Sequence, residues 1–568
     1  MSDAKKKPLD PAKHDQVLRQ LRHEVNLRQQ GYRERALKIL PHICGSCARE
    51  FSGKRLRELT VHHKDHNWQN NPPDGSNWEL LCIYCHDFEH EKSLSMNDFS
   101  RGSGAGPAAA APSGFTPFAA LDALVLPPVA AGDDAPDAGA AASPPGNDPA
   151  TGATTVPEGV MPWQVNAPLV EVHKEVYRAC EAEGRAPVVS VRYLGPGLER
   201  LEVHAAEVRD DVPEARQYRV SPDNGRTWSA FTPLPAIPRL CQGVEVLEHE
   251  FPDVPYDPLS GVHLGFLLRQ IQANGVWNNF TYARISRDGG RTWTHEQPLT
   301  YEPGALFEPG NPLNPQFLLR NQGYPGTSLL LHSNGTRILF LAHANAPDDP
   351  KNDARMWKNG SVCMIARWDA AAATYNWQPG ARIAISPQQS GRGLMEPDAA
   401  ELADGRILVV WRGSNDAWDG SKEVTEPGRK WYSISADGGR TLAPLAAWRY
   451  DDGSPFYSPS SIHRFLRHSL TRKLYWLGNI CATPPSGNSP RYPLVLAEVD
   501  ERTGCLKKNR VTAIDDRRPD QGEGIQFSNF SFFEDRESHR LEIYLTAYGE
   551  RPGADWRTAN CYRYRLTL

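Results

Sequence analysis

The sequence predicts a multidomain protein, with a small α+β domain first, a flexible linker next and a large all-β domain last. Its length of 568 residues and mass of 63.2 kDa exceed what one ordinary domain contains. Residues 101–160 hold 17 Ala, 9 Gly and 10 Pro, a composition that favours a disordered linker over a packed core. A turn-like string, S-x-D-x-G-R-T, occurs three times after residue 220 and indicates repeated hairpins. The predicted domains are therefore 1–100, 101–160 and 161–568.

Composition and charge exclude some classes of protein. The chain has 39% hydrophobic residues and a formal net charge of -5, so it is no uniformly basic nucleic-acid coat. It contains no apolar run of membrane-spanning length, and no apolar stretch follows the lysines of the N-terminus. We therefore expect a cytoplasmic protein with no membrane partner. Residues 1–64 carry 15 Lys and Arg against 7 Asp and Glu, which indicates a polyanionic partner or a solvated helix face.

The cysteines fall into two groups. Cys44 and Cys47 form one CxxC pair, and Cys82 and Cys85 form another after 34 intervening residues. Two such pairs suit one tetrahedral zinc ion with four thiolate ligands, and a structural metal would stabilise a domain too small for a large core. The other six cysteines are isolated along 161–568 and predict reduced core thiols.

Histidines lie between and after the two cysteine pairs. The stretch Leu59–His63 predicts the end of a strand, and the residues from Lys64 to Ser76 are polar and turn-rich. A helix is expected to begin near Cys85, preceded in the chain by a basic helix over 11–38. Because His86 and His90 are four residues apart, they share one helix face, which is the spacing that one metal ion needs.

The block from Cys44 to His90 resembles the HNH endonucleases, in particular small bacterial ones with a four-cysteine zinc knuckle. The strings that carry the resemblance are LTVHHKDH, NPPDGSNWELLC and YCHDFEH. The resemblance implies a ββα-metal fold, in which a β-hairpin and a helix hold one catalytic metal.

The resemblance also implies a role for each polar residue. His63 matches the general base, and Asn77 matches the residue that orients the loop or the base. His62, His86 and His90 match ligands of one catalytic divalent ion, which is Mg, Mn, Ni or Zn. Asp65 or His66 could replace a ligand, and His86 could instead support the structural zinc. The implied partner is DNA, contacted through its phosphates, and a homo-oligomer is expected because double-strand cleavage often needs two sites.

The three turn strings begin at Ser221, Ser286 and Ser435. Asp and Gly shape a tight turn in each, and the first two end in a Trp that can pack beneath it. The string resembles the Asp-box, or BNR repeat, of sialidase-like β-propellers. About 400 residues at about 65 per blade predict six blades, with each box joining two neighbouring antiparallel strands.

Sialidases, which the propeller resembles, use an arginine triad, a Tyr with a Glu partner and an acidic residue. The residues that could line a pocket here are Glu396, Asp398, Arg412, Tyr457 and Arg464. The early Arg-Ile-Pro motif of that family is not evident, since Pro238-Arg239-Leu240 is a poor substitute. We therefore expect a propeller that binds a glycan, a nucleotide-like signal or a protein.

Three whole-protein hypotheses follow, and the third is a non-catalytic interaction protein in which both domains only bind partners. In the first, an HNH endonuclease cuts DNA and a ligand-sensing propeller positions or regulates the cut, as in a bacterial defence effector. In the second, the protein is a carbohydrate-active, sialidase-like hydrolase, and its zinc-binding domain is a non-catalytic tether to DNA or to a partner.

Overall fold

The computed structural model describes residues 35–45, 51–53, 56, 59–65, 72, 74–82, 161–209, 212–234, 240–251, 254–273, 276–346, 358–416 and 424–568. The chain divides into two units, Met1–Asn147 and Asp148–Leu568. The predicted linker, 101–160, lies outside the described residues, as does most of the predicted helix over 11–38. Among the described residues, no helix is long and apolar enough to cross a membrane.

The first unit contains helical residues 35–39 and an antiparallel hairpin of β1 (Leu59–His63) and β2 (Trp78–Cys82). The hairpin pairs Leu59 with Cys82 and His63 with Trp78. The predicted strand that ends in two histidines is therefore confirmed. Eight buried residues form the core of this unit: Ala36, Cys44, Phe51, Leu59, Val61, Trp78, Leu80 and Leu81.

The second unit is an all-β propeller of six antiparallel sheets, which confirms the predicted number of blades. It begins with a short helix, α1 (Pro162–Val165), and a strand, β3 (Glu171–Arg178). Blade 1 consists of β4 (Ala186–Tyr193), β5 (Arg200–Arg209), β6 (Val212–Ser221) and β7 (Thr232–Pro233). Blade 2 consists of β8 (Leu240–Cys241), β9 (Val244–Glu250), β10 (Tyr256–Asp257), β11 (Val262–Ala273), β12 (Val276–Ser286) and β13 (Thr294–Pro298).

A second short helix, α2 (Pro315–Leu318), precedes blade 3. Blade 3 consists of β14 (Tyr324–Pro325), β15 (Leu330–Leu331), β16 (Arg337–Ala344), β17 (Gly360–Asp369) and β18 (Thr374–Ala384). Blade 4 consists of β19 (Met395–Glu401), β20 (Ile407–Arg412), β21 (Lys430–Ser435) and β22 (Ala446–Ala447). Blade 5 consists of β23 (Arg464–Arg467), β24 (Leu474–Asn479), β25 (Leu494–Asp500) and β26 (Cys505–Asp515). Blade 6 consists of β27 (Ser531–Glu534), β28 (Leu541–Thr546), β29 (Cys561–Thr567) and β3.

The ring is closed by β3, which pairs with β29 and so completes the last blade with the first strand of the unit. The segment before β3 is anchored on blade 5. Asn166 donates from Nδ2 to the carbonyl oxygen of Lys508 at 2.9 Å, and the N–H of Leu169 donates to Thr512 Oγ1 at 2.8 Å. The two ends of the unit are thus tied together by hydrogen bonds between distant parts of the chain.

The three Asp-boxes form the same turn in three blades. In the first, Ser221 Oγ donates to Asp223 Oδ1 at 2.9 Å, and Thr227 donates to the same carboxylate from its N–H and its Oγ1. The turns of Ser286 and Ser435 repeat these bonds. The boxes join β6 to β7 in blade 1, β12 to β13 in blade 2 and β21 to β22 in blade 4, which are neighbouring antiparallel strands, as predicted.

Hydrogen bonding in the boxes shifts the acidity of their aspartates. Bonds from Thr227 lower the pKa of Asp223 to about 2. Burial opposes the shift at Asp288 and Asp437, but the bonds from Thr292 and Thr441 outweigh it and lower both pKa values to about 2. The turn of each Asp-box is therefore most stable when its aspartate carboxylate is ionised.

Candidate functional site

The hairpin register places a carboxylate behind the first histidine of the pair. His62 lies directly opposite Glu79 across the two strands, so both side chains are on one face. His62 Nδ1 is 3.0 Å from Glu79 Oε1, and His62 is 3% exposed. A carboxylate on one ring nitrogen fixes the orientation of a histidine, which is how metal-binding histidines are commonly held. A metal bond from this ring would therefore come from Nε2.

The second histidine lies on the other face of the same strand. His63 is opposite Trp78 in the register, and the two rings meet edge to face with centroids 6.5 Å apart. Trp78 is 1% exposed, and the guanidinium of Arg35 lies 5.0 Å from the centre of its ring. A core tryptophan thus holds His63 from one side and links the strand pair to the helical residues.

Asn77, which directly precedes β2, forms hydrogen bonds with the two residues that directly follow β1. Its Nδ2 donates to Asp65 Oδ1 at 2.8 Å, and its carbonyl oxygen accepts the N–H of Lys64 at 2.9 Å. Just before Asn77 in the chain, the carboxylate of Asp74 accepts hydrogen bonds from the N–H and Oγ of Ser76. These bonds lower the pKa of Asp74. These hydrogen bonds also involve Asp65, which the sequence analysis gave as an alternative ligand, and the loop-orienting or base-orienting role of Asn77 stays a prediction.

Cys44 and Gly45, the first two residues of the first CxxC motif, lie beside the second strand. The N–H of Gly45 donates to the carbonyl oxygen of Leu80 at 2.8 Å, two residues before Cys82, and Cys44 is fully buried. A Cβ at position 45 would lie 2.9 Å from Glu79 Oε2, so the chain passes close to this carboxylate. Of the four cysteines predicted to bind zinc, the described residues show only the side chain of Cys44, which is buried near β2. Cys47, Cys85, His86, His90 and the side chain of Cys82 lie outside the described residues.

Within the described part of the chain, no group of three or more His, Cys, Asp and Glu is placed to hold a metal. The zinc site and the helical half of the catalytic metal site therefore stay predictions. Sequence reasoning missed Glu79, although the hairpin register, which pairs it with His62, could have revealed it.

Comparison with known proteins agrees with this geometry. The family model described as HNH endonuclease matches residues 44–92. The Escherichia coli (strain K12) protein named "Putative HNH nuclease YajD" is 53% identical over 100 residues, which are 17% of this chain and 87% of that protein. The chain belongs to the HNH endonuclease family. The protein of the same name from Salmonella typhimurium (strain LT2) is 52% identical with the same coverage. This HNH protein therefore combines a short family domain with a much longer propeller.

Two solved structures are similar to the HNH protein at low identity. A Dyadobacter fermentans protein of unknown function covers 70% of this chain with 99% of its own length, at 15% identity and a TM-score of 0.44. The structure named "NanB plus Optactamide" covers 69% of this chain and 70% of its own, at 12% identity and a TM-score of 0.42. The propeller assignment itself comes from the strand pairing described above.

Three of the predicted pocket residues lie in or beside one charged group. Arg412 donates from Nη1 to Glu396 and from Nε to Ser460 Oγ at 2.8 Å. Asn488 Oδ1 accepts from Arg412 at 3.2 Å and from Arg392 at 3.4 Å. Arg491 donates to Gln526 Oε1 at 2.7 Å. We call Arg392, Glu396, Arg412 and Arg491 the Glu396 cluster. Arg464, at the start of β23, lines the same cavity as Glu396.

Burial and the arginine charges of the cluster set the protonation states of Glu396 and of the neighbouring His343. Burial raises the pKa of Glu396, but the positive charges of Arg412, Arg491 and Arg392 outweigh it and hold the pKa below its usual value. Burial, with the charge of Arg392, lowers the pKa of His343 to about 3, so this histidine is neutral at pH 7. Glu396 is ionised at neutral pH and is therefore unsuited to donate a proton.

The other two predicted pocket residues have structural contacts. Asp398 is 1% exposed and accepts from Ser328 Oγ and from the N–H groups of Ala399 at 3.0 Å and Phe465 at 2.6 Å. Its carboxylate therefore links blades 4 and 5. Tyr457 is half-buried, and its carbonyl oxygen accepts the N–H of Cys481 at 2.9 Å. Sequence reasoning gave no reason to name Asn488 or Arg392, since only the tertiary structure brings them to Arg412.

Proposed function

We propose that this protein is a metal-dependent DNA endonuclease whose HNH domain hydrolyses phosphodiester bonds, and whose propeller positions or regulates the cut by binding a ligand. The observation that carries the proposal is the paired histidines at the end of β1, with Glu79 behind His62 and Trp78 beside His63. These residues lie inside the segment that the HNH family model matches.

Hydrolysis needs an activated water and a place for the charge that develops on the phosphate. His63 takes the proton from the attacking water, because histidine exchanges protons near neutral pH. His62, oriented by Glu79, would hold a divalent ion together with His86 and His90. The bound ion supplies Lewis-acid chemistry to the phosphate oxygens. Asn77 donates a hydrogen bond to Asp65 and so joins the end of β1 to the start of β2, which holds His63 in one orientation.

The DNA contacts proposed for this domain are electrostatic. The excess of Lys and Arg over residues 1–64 suits binding to phosphates, which predicts little sequence preference. A cytoplasmic location, a homo-oligomeric state and a role in defence against foreign DNA belong to the same proposal and rest on the architecture alone.

Replacing the proposed base tests the nuclease. We expect His63→Ala to reduce nicking of a supercoiled plasmid by at least about 100-fold in Mn²⁺, because a general base commonly contributes that much. His42 provides a matched control, since it is exposed and its Nε2 lies 2.8 Å from the carbonyl oxygen of Leu37. His42→Ala should nick within about twofold of the wild-type rate. Wild-type nicking by His63→Ala would show that this histidine is not the base.

Separating the domains tests regulation. A protease site introduced within 101–160 allows the same preparation to be assayed before and after cleavage of the linker. If the propeller restrains the nuclease, plasmid nicking should rise severalfold once the linker is cut, while intact protein treated with inactivated protease should not change. Equal rates before and after cleavage would remove the regulatory part of the proposal and leave the nuclease intact.

The glycosidase alternative is not favoured by the propeller. The carboxylate of Asp398 is occupied by three donors, and Glu396 is ionised beside Arg412. Neither is suited to the role of a general acid at neutral pH, which glycoside hydrolysis requires.

A further inference from the structure

Blades 1 and 2 meet across a seam that differs from the other five contacts between blades. Among the described residues, hydrophobic clusters span blades 2 and 3, 3 and 4, 4 and 5, 5 and 6, and 6 and 1. Between blades 1 and 2 the structure instead has part of a cavity of about 1140 Å³, which Thr327, Glu396, Arg464 and Phe532 of the other blades also line. A cavity of this size exceeds what most small-molecule ligands need.

The wall that blade 1 contributes is mainly aliphatic, with Ser190 and Arg192 on the same face. The register pairs Val188 with Ala205, and Ser190 with Val203, so these residues share one face of the sheet. Leu201 extends the same face, and all of them line the cavity. The opposite face of blade 1 packs through Val189 and Val191 against blade 6. Blade 1 therefore presents to the cavity an apolar surface of the kind that the other blades bury against a neighbour.

The wall that blade 2 contributes is charged, and its glutamates are neutralised. Glu250 accepts from Arg284 at 2.8 Å and from Arg216 of blade 1 at 3.2 Å. Glu248 accepts from Arg269 at 2.7 Å. The pair of Arg216 and Glu250 crosses the seam and joins the two blades. The negative charges of this wall thus have arginine partners already.

Positive charge remains at the rim of the cavity. Six arginines line it against three glutamates. Arg291 donates from Nε to the carbonyl oxygen of Asp288 at 2.7 Å, and Arg536 donates to the carbonyl oxygens of Gly195 and Gly197. In the part of the chain that the structure describes, neither of these two arginines pairs with a carboxylate. The rings of Tyr193 and Trp293 also line the cavity.

We propose that the seam between blades 1 and 2 binds a small organic anion that carries an aromatic or aliphatic ring system. The aliphatic wall of blade 1 takes the ring system, and the unmatched arginines take the anionic group. The ligand bound here would be the one that regulates the nuclease in the proposed function, so this inference rests on that proposed function. Binding is measured without DNA, so a failure of this site and a failure of the nuclease are distinguishable.

Titration of the full chain with 8-anilinonaphthalene-1-sulfonate, an aromatic sulfonate that fluoresces when bound, tests the site. We expect saturable binding of one probe per chain. Ala205 is 6% exposed on the apolar wall, and Ala205→Phe should abolish that binding by filling the cavity. Arg291→Ala should weaken it about tenfold, as expected for a lost bond to a charged group. Arg440 provides the matched control, since it donates to the carbonyl oxygen of Asp437 in the Asp-box of blade 4 and does not line this cavity. Arg440→Ala should bind like the wild type.

Three results would overturn the proposal. One is unchanged probe binding in both Ala205→Phe and Arg291→Ala; Arg291 is exposed, so its variant serves even where Ala205→Phe fails to fold. Another is equal affinity for N-phenyl-1-naphthylamine, which has the same rings without the sulfonate and would show that charge plays no part. The third is a change of oligomeric state in sedimentation, caused by Ala205→Phe with probe binding intact, which would assign the seam to a second copy of the chain.

Discussion

The HNH hairpin and the Glu396 cluster are both polar sites held by arginine or carboxylate partners, yet they are assembled over different distances in the chain. His62 and its partner Glu79 are 17 residues apart and meet through one hairpin register. Arg412 reaches Asn488 over 76 residues, and Arg491 reaches Gln526 over 35. The hairpin site therefore depends on local pairing, whereas the propeller cluster depends on the packing of neighbouring blades.

This difference separates two kinds of damage. A change at the hairpin should remove cleavage and leave the propeller unaffected. A change in the ring should lower the stability of the propeller while the hairpin keeps its geometry. Three substitutions sharpen or break the comparison.

Removing the carboxylate behind His62 should have the largest effect. We expect Glu79→Gln to lower plasmid nicking by about 10–100-fold, because second-sphere carboxylates contribute that much to metal affinity or activity. Asp74→Asn removes a carboxylate from the neighbouring loop without touching either histidine, and should stay within about threefold of wild type. The thermal unfolding of the propeller should be unchanged in both. A Glu79→Gln enzyme as active as Asp74→Asn would mean that His62 needs no orienting partner.

Crowding a contact between blades should have a moderate effect on stability. A Cβ at Gly380 in blade 3 would lie 2.3 Å from the carbonyl oxygen of Gly439, in the Asp-box of blade 4. Because both groups are backbone, neither can rotate away, and Gly380→Ala should destabilise the propeller by about 1–3 kcal/mol. At Gly197 an added Cβ meets nothing within 4 Å, so Gly197→Ala serves as the control. Calorimetry should show a lower transition only in Gly380→Ala, with plasmid nicking retained.

The smallest effect concerns an Asp-box and depends on pH. The pKa of Asp437 is about 2 in the folded protein, against an unfolded value of about 3.9. A lowered pKa contributes stability that is present above the unfolded value and is lost as the pH falls through the folded value. Asp437→Asn should therefore be less stable than wild type above about pH 4, and the difference should shrink towards zero near pH 2. Urea unfolding at several pH values measures it; a gap that stays constant between pH 5 and pH 2 would contradict the assignment.

Much of the fold was predictable because its signals are local. Each Asp-box carries its own hydrogen-bond set within eight residues, so three copies at suitable spacing indicated blades and their number. The strand β1 was predictable for the same reason, because the sequence pattern that ends in His62 and His63 covers the same few residues as the strand.

The sequence by itself determined the two kinds of domain, the turns of the boxes and the family of the hairpin, because each depends on contacts between near neighbours in the chain. Only the tertiary structure decided which residues stand behind the functional side chains. Glu79 behind His62, Asn488 beside Arg412 and the donors around Asp398 follow from register and the packing of neighbouring blades. The cavity between blades 1 and 2 was also decided by the tertiary structure. The chain carries similar apolar strands in every blade, and only their packing separates this one pair of blades. The physical reason is that burial and hydrogen bonding act between atoms that are close in space, and the sequence alone does not record those distances.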